Sequence, residues 1–153
     1  MDEAASLLER LAAFEGEWEG EESLFPTPWG AGGTARGRWS FRMDPARRYL
    51  IQDYHEDREA GAAFDGHGVL APQADGAGYL WFWFDSFGYL PTPAGSGRWD
   101  GGRLVLIRTS PRGANHSVFR IEPQRLSYEV AFQAAGQDGL MPVMAGSFAR
   151  RGR

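Results

Sequence analysis

The stretch GYLWFWFDSFGY, residues 78–89, decides the fold. Apolar side chains occupy both phases of the alternation from Tyr79 to Phe84. A strand with one face in water alternates apolar and polar residues, so both faces of this strand must be covered. The run ends in Asp85 and Ser86, which are typical of a turn. The pattern therefore predicts a strand with one face in the interior and an apolar face outside.

The rest of the chain also divides into short alternating segments, separated by Gly, Pro and Asp residues. No helical segments separate them, which indicates an antiparallel meander, and a meander this long avoids exposed edges by closing on itself. We therefore predict an all-β fold, an up-and-down barrel of about ten strands in a single domain over residues 1–153. The predicted strands span residues 17–25, 34–44, 48–57, 62–71, 78–86, 96–100, 102–109, 114–121, 124–133 and 139–150.

One helix is predicted at the start of the chain. Leu7, Leu11 and Phe14 recur at helical spacing, which predicts a short helix over residues 3–14. In an up-and-down barrel, the loops after odd-numbered strands lie at one end. Those loops include the longest and most Gly- and Pro-rich ones, and such loops commonly surround a ligand site. The helix enters at the opposite end, where it can plug the barrel.

Composition narrows the classes of function. The net charge of -4 disfavours nucleic acid, because phosphate contacts need clustered positive charge. There is no cysteine, so disulfides, thiolate catalysis and cysteine metal sites are excluded. All 16 basic residues are arginine, which excludes a lysine Schiff base. No apolar run approaches the roughly 18 residues of a membrane helix. We expect a cytoplasmic protein without a membrane partner.

Two groups of motifs carry a family resemblance. Gly16-Glu17-Trp18-Glu19-Gly20 resembles the start of the first strand in lipocalins and, more closely, in nitrobindin-like barrels. In such calycin barrels the tryptophan packs at the closed end against an arginine from a late strand. The resemblance thus implies structural roles for Gly16, Trp18 and Arg150.

The middle of the chain resembles a bacterial family of single-domain proteins of unknown function with a calycin-like barrel, related to lipocalins and fatty-acid-binding proteins. The matching segments are RYLIQDY (48–54), FDGHGVL (64–70) and WFDSFG (83–88), while Ala71-Pro72 departs from the pattern. The family implies a barrel with a cavity and no established reaction. Nitrobindin-like relatives bind haem through a histidine near the C-terminus. Here the last histidine is His116, so we expect no haem and no other cofactor.

Alternation also identifies a candidate ligand site. Trp81, Trp83 and Asp85 share one face of a strand, and Gln52 and Tyr54 share one face of another. A pocket with aromatic walls and a few placed polar groups is the usual site for a small ligand. The leading prediction is therefore binding of a small apolar or aromatic molecule inside the barrel. The alternative is a structural or interaction module whose barrel is filled by a polar network. The candidate ligand-binding residues are Trp39, Gln52, Tyr54, Trp81, Trp83, Asp85 and Tyr128.

An enzyme is a further alternative, which we do not favour. Asp85 or His67 are the candidates for a general base, and His67 has Asp53 or Asp85 as a possible partner. The alternation also permits an outward His67, and no nucleophile is fixed beside it. A buried Asp85 needs a partner, for which Gln52, Tyr54 or His67 are candidates.

No metal site is predicted, because the three candidate ligands His55, Asp53 and Glu56 do not all lie on one face of their strand. On the outside of the central strand, Leu80, Phe82 and Phe84 form an apolar face. Contiguous exposed apolar patches usually mark interfaces. We therefore expect either a twofold homodimer through these residues or coverage by helix 3–14.

Overall fold

Ten antiparallel strands form the wall of a closed barrel, and one helix precedes them. The computed structural model describes residues 3–151. Each strand pairs with its neighbour in the sequence, and the last pairs with the first, so the predicted all-β, up-and-down barrel is confirmed. The elements are α1 (Glu3–Ala12), β1 (Gly16–Leu24), β2 (Gly33–Met43), β3 (Leu50–Arg58), β4 (Phe64–Pro72), β5 (Tyr79–Asp85), β6 (Gly95–Asp100), β7 (Arg103–Ser110), β8 (Gly113–Ile121), β9 (Arg125–Ala134) and β10 (Met141–Arg150).

The element boundaries differ from the prediction by at most two residues. The helix ends at Ala12, because the chain must turn there to bring Phe14 into the end of the barrel. The Phe14 ring lies 5.3 Å from the ring of Phe41 and 5.9 Å from that of Phe119. Gly16 then begins β1 at a φ of 132°, a conformation that favours glycine.

Helix α1 closes one end of the barrel, as predicted. The Tyr79 hydroxyl donates a hydrogen bond to the carbonyl of Leu7 at 2.7 Å. The Arg10 guanidinium lies 4.0 Å from the centre of the Trp99 ring, and Leu11 is fully buried. Apolar burial and a cation–π contact therefore hold the helix at this closed end. Within the described residues, no helix is both long and apolar enough to cross a membrane.

The seam between β1 and β10 completes the closed end. Trp18 and Arg150 are paired across it, and the guanidinium lies 4.2 Å from the centre of the indole ring. Arg150 also donates hydrogen bonds to the carbonyls of Glu15, Pro123 and Ala13, at 2.6, 2.6 and 3.1 Å. One side chain thereby joins both ends of the chain at the position that the family resemblance implied.

Toward the end opposite the helix, the pairing between β5 and β6 is short. These strands pair at three positions, from Tyr79↔Gly97 to Trp81↔Gly95, whereas β4 and β5 pair at seven. On the far side, β7 continues past its last pair with β6, Ser96↔Ile107. At the end opposite the helix, β5 and β7 therefore have no strand between them. We call this opening the gap in the wall. The chain from 86 to 94, which connects β5 to β6, lies at this gap.

Candidate functional site

Exposed apolar side chains gather at the open end, which is formed by the loops after β1, β3, β5, β7 and β9. Eight large hydrophobic side chains are exposed among the described residues, and six of them lie in these loops. We call these six the rim. Contiguous exposed apolar groups of this kind commonly mark a binding site. The rim consists of Phe25, Trp29, Phe87, Tyr89, Leu90 and Leu140.

The rim is held together by contacts between loops. The Trp29 ring lies 5.4 Å from the ring of Phe132, in an edge-on arrangement. Arg112 lies between two rim residues, 6.0 Å from the centre of the Trp29 ring, and it donates a 3.3 Å hydrogen bond to the Tyr89 hydroxyl. Aromatic residues from two different loops thus share one cation, which connects these parts of the rim.

Beneath the rim, charged residues lie on the inner side of the wall. Glu22 and Glu56 are buried, and so is the carboxylate of Asp85. Arg58 and Arg108 provide the positive charge of this layer. Sequence reasoning missed Glu22, although Glu22 has the same phase as Trp18 on β1, and that shared phase was the available signal.

Two of these acids share a tyrosine hydroxyl. The Tyr54 oxygen lies 2.6 Å from Glu22 Oε2 and 2.8 Å from Glu56 Oε2. The other oxygen of Glu56 accepts a 2.6 Å hydrogen bond from Arg58 Nε. Since a tyrosine has one hydroxyl proton, it can donate to one carboxyl and must accept from the other. The arrangement therefore requires one of the two acids to be protonated.

The electrostatics assign that proton to Glu22. Burial, and after it the hydrogen bond and charge of Glu56, raises the pKa of Glu22 to about 9. Burial also acts to raise the pKa of Glu56, but the hydrogen bonds of Glu22, Arg58 and Tyr54 outweigh it and lower that pKa. At neutral pH, Glu22 is the neutral donor and Glu56 is the carboxylate. Burial raises the pKa of Tyr54, so its hydroxyl stays protonated.

Below this acid pair, the predicted ligand-binding aromatics pack on one another. The ring of Trp39 lies 4.4 Å from Tyr54, 5.1 Å from Tyr128 and 6.0 Å from Trp83. The rings of Trp81 and Trp83 are 5.5 Å apart. We call these five side chains the aromatic floor. All five point inward, as the alternation predicted, and all are buried.

The aromatic floor is tightly packed. A Cβ added at Gly66 would lie 2.2 Å from the Trp83 ring, and one at Gly68 would lie 2.5 Å from Gln52 Oε1. Gln52 is also engaged, since its Oε1 accepts a 3.0 Å hydrogen bond from Trp81 Nε1. These side chains therefore pack closely against the wall of the barrel at this depth.

Asp85 ends β5 at the edge of the aromatic floor. Its Oδ2 accepts a 2.9 Å hydrogen bond from Trp83 Nε1, and its Oδ1 accepts one of 2.9 Å from the backbone N–H of Phe87. Arg108 approaches Oδ2 at 3.5 Å. The carboxylate therefore caps the turn and holds the indole in place, and each of its oxygens already accepts a hydrogen bond.

The predicted partners of Asp85 were wrong. Gln52 bonds Trp81 instead, Tyr54 bonds the two glutamates, and His67 lies on the outer side of the wall. The sequence places residues on a face but does not give their height along the barrel axis. Asp85 stands at the end of its strand, where a turn amide is the nearest donor.

His67 pairs with Asp53 on the outer surface. Its Nδ1 lies 2.5 Å from Asp53 Oδ1, and Arg42 Nη1 donates a 2.8 Å hydrogen bond to Asp53 Oδ2. Although partial burial acts to raise the pKa of Asp53, these two hydrogen bonds lower it. A general-base pair of His67 with Asp85 is excluded, because the two side chains lie on opposite sides of the wall.

A shallow cleft of about 620 Å³ runs over this outer surface. In it, His55 Nδ1 lies 2.6 Å from Asp65 Oδ1 and His55 Nε2 lies 3.0 Å from Asp57 Oδ1. These contacts raise the pKa of His55.

Ser86 Oγ accepts a hydrogen bond from the Asp65 amide, consistent with a turn residue. Glu56 faces inward, away from His55. Within residues 3–151, no three His, Asp or Glu side chains are arranged to hold a metal ion.

The outer face of β5 is not covered by α1. Leu80 and Phe84 are 40% and 47% exposed, and Phe82 between them is partly buried. The helix packs at the closed end, so coverage by the helix, which was one of the two expectations, is wrong. The homodimer through Leu80, Phe82 and Phe84 stays a prediction.

Comparison with solved structures shows the same kind of barrel. The crystal structure of Rv2717c from M. tuberculosis superposes with a TM-score of 0.69 at 17% identity, covering 95% of this chain and 98% of that one. The S-type phycobiliprotein lyase CPES from Guillardia theta also gives 0.69, at 11% identity, with coverage of 95% and 92%. No family model and no curated protein matches the sequence. The likeness shows the fold, a closed antiparallel β-barrel, whereas the calycin-like relationship and membership of the bacterial family suggested by the motifs stay predictions.

Proposed function

We propose that this protein binds a small, largely apolar or aromatic molecule at the open end of the barrel. The observation that carries the proposal is the rim, which holds six of the eight exposed large hydrophobic side chains of the described residues. A buried layer of charged and polar groups lies directly beneath it. Apolar walls with a few fixed polar groups are the usual composition of a small-molecule site.

The aromatic floor defines the depth of this site. Trp83 and Asp85 lie at the open end of β5, and the hydrogen bond between them fixes the indole. The ligand rests above these groups, so the residues predicted from sequence support the site from below. Rim residues such as Trp29 and Leu90 supply the apolar contacts that exclude water.

The gap between β5 and β7 offers an access route. Three rim residues, Phe87, Tyr89 and Leu90, lie in the connection from β5 to β6 that borders this gap. Loops that border a rigid scaffold are the common carriers of ligand contacts. Movement of this connection would open the space above the aromatic floor without breaking a strand pair.

The alternatives account for less of the structure. A filled structural module fits the packed aromatic floor but leaves the exposed rim unexplained. An enzyme based on Asp85 or His67 fits less well, because Asp85 is occupied by two donors and His67 lies on the outer surface. Ligand binding at the rim accounts for both the packed interior and the apolar mouth.

A binding screen tests the proposal. Purified protein is melted, with detection by circular dichroism, in the presence of fatty acids, aromatic acids, aromatic alcohols, flavins and haem. A molecule that binds the folded state raises the melting temperature. We expect a hit whose effect is weakened by Trp29→Ala or Leu90→Ser in the rim.

The matched control is Phe84→Ala, which removes an apolar side chain of similar exposure from the outer wall. It should leave the effect of the ligand unchanged. A panel in which nothing raises the melting temperature, or a hit that depends on Phe84 as strongly as on the rim, would overturn the proposal.

A further inference from the structure

Arg108 is an unusual cation within the charged layer. It lies on β7 in phase with Leu104 and Leu106, which are both buried, so its side chain points into the barrel. The side chain is 18% exposed. Burial of a charged group is costly unless hydrogen bonds compensate it.

Those hydrogen bonds are missing among the residues that the structure describes. The contact of Arg108 with an acid is the 3.5 Å approach of Nη2 to Asp85 Oδ2, and this oxygen already accepts the Trp83 indole N–H. Within residues 3–151, the guanidinium donates no hydrogen bond of ordinary geometry to a side chain or carbonyl. A guanidinium has five N–H donors in a planar fork that matches a carboxylate.

The other arginines of the open end are better partnered. Arg58 donates a 2.6 Å hydrogen bond to Glu56, and Arg112 donates to the hydroxyl of Tyr89. Arg108 therefore stands apart as a mostly buried cation with free donors. Arg108 is also accessible from outside the barrel. It follows the last pair between β6 and β7, Ser96↔Ile107, and so lies at the gap in the wall.

An aromatic side chain of the floor lies beside this free donor set. The Arg108 guanidinium lies 6.0 Å from the centre of the Trp81 ring. We propose that the ligand is an aromatic or apolar carboxylate whose anionic group binds Arg108 while its apolar body lies under the rim. This inference rests on the proposed function, since it names the chemical class of the ligand at the same site.

Two probes of the same shape test the inference. These are 2-naphthoate, which carries a carboxylate, and 2-naphthylmethanol, which is neutral, and binding of both is measured by isothermal titration calorimetry. Charge-assisted, bidentate contacts are stronger than neutral ones, so we expect naphthoate to bind about tenfold more tightly or better. Arg108→Gln should remove this preference, with little change for the alcohol.

Two further variants keep the test independent of folding. Arg108→Lys keeps the charge but loses the planar fork, so an intermediate preference for naphthoate is expected. Arg98→Gln removes an exposed cation from the outer face of β6 and should leave the preference intact. All variants are first shown to melt cooperatively at a temperature close to that of the wild-type protein.

The outcomes separate the two proposals. If the alcohol binds the wild-type protein as tightly as the acid does, or if Arg108→Gln keeps the preference, the carboxylate inference is overturned while ligand binding at the rim stands. If neither probe binds and the wider panel is also silent, both proposals are overturned.

Discussion

The two ends of the barrel use the same residue types in opposite ways, and two tryptophans show the difference. Trp18 at the closed end is fully buried, donates its indole N–H to the carbonyl of Phe14 at 2.9 Å, and lies under the Arg150 guanidinium. Trp29 at the open end is 56% exposed and rests edge-on against Phe132. The closed end satisfies its groups within the protein, whereas the open end leaves apolar area and hydrogen-bond donors available.

The largest expected effect comes from truncating the closed end. Trp18→Ala should lower the free energy of unfolding by about 3–5 kcal/mol, because it removes a buried ring and leaves a cavity. Trp29→Ala should change it by less than about 0.5 kcal/mol, as is usual for exposed positions. Urea unfolding followed by circular dichroism measures both. Similar losses for the two variants would show that the ends do not differ as described.

The next effect concerns the acid pair under the rim. Tyr54→Phe removes the hydroxyl that joins Glu22 and Glu56, and leaving buried carboxyls without this partner should cost about 1–3 kcal/mol. Tyr89→Phe serves as the control, because that hydroxyl lies on an exposed residue. Equal stability of Tyr54→Phe and wild type in urea unfolding would contradict the shared hydroxyl.

A pH series sharpens the assignment of the proton. The pKa of Glu22 is about 9 in the folded protein against an ordinary value of 4.5, so folding favours the protonated form. The stability contributed by this proton is full below about pH 4.5 and is lost as the pH rises toward 9. Glu22→Gln, which is neutral at every pH, should therefore lose less stability than wild type between pH 6 and about 9.

Glu21→Gln is the matched control for the pH series, because Glu21 is exposed on the outer face of the same strand. Its urea midpoint should follow the wild-type curve through the same pH range. Parallel curves for Glu22→Gln and wild type would show that Glu22 is not the group that carries the proton.

The smallest effect is expected on the outer wall, which belongs to neither end. His67→Gln removes the contact with Asp53, in which both side chains are largely exposed. Exposed ion pairs contribute about 0–1 kcal/mol, so stability should change little and ligand affinity should not change. A strong loss of ligand binding in this variant would move the site from the rim to the outer cleft.

Alternation along single strands predicted which side of the wall each residue occupies. Trp39, Trp81 and Trp83 were placed inside for this reason, and the turn residues between segments predicted the strands within one or two positions. These properties are local, because the period of two and the turn chemistry are set by neighbouring residues. The fold could therefore be predicted almost in full.

The site could be predicted only in part, because its contacts join distant strands. Tyr54 on β3 bonds Glu22 on β1, and Asp85 approaches Arg108 across the gap in the wall. Such partners depend on height along the barrel axis, which alternation does not report. The exposure of rim residues such as Leu90 is also a tertiary property, since loops have no period. For Glu22, the sequence did offer a signal, because a charged residue stands in the apolar phase of its strand.

The seam between β1 and β10 has a consequence for folding kinetics. Arg150 bonds the carbonyl of Glu15, 135 residues away, so closure of the barrel requires contacts between residues that are far apart in the sequence. Topologies dominated by such contacts fold slowly, because loop closure precedes the favourable burial. During synthesis, β1 lacks one of its two partner strands until β10 has been made. The same indole–guanidinium contact that stabilises the finished barrel is thus among the last to form, and one edge of β1 stays unpaired up to that moment.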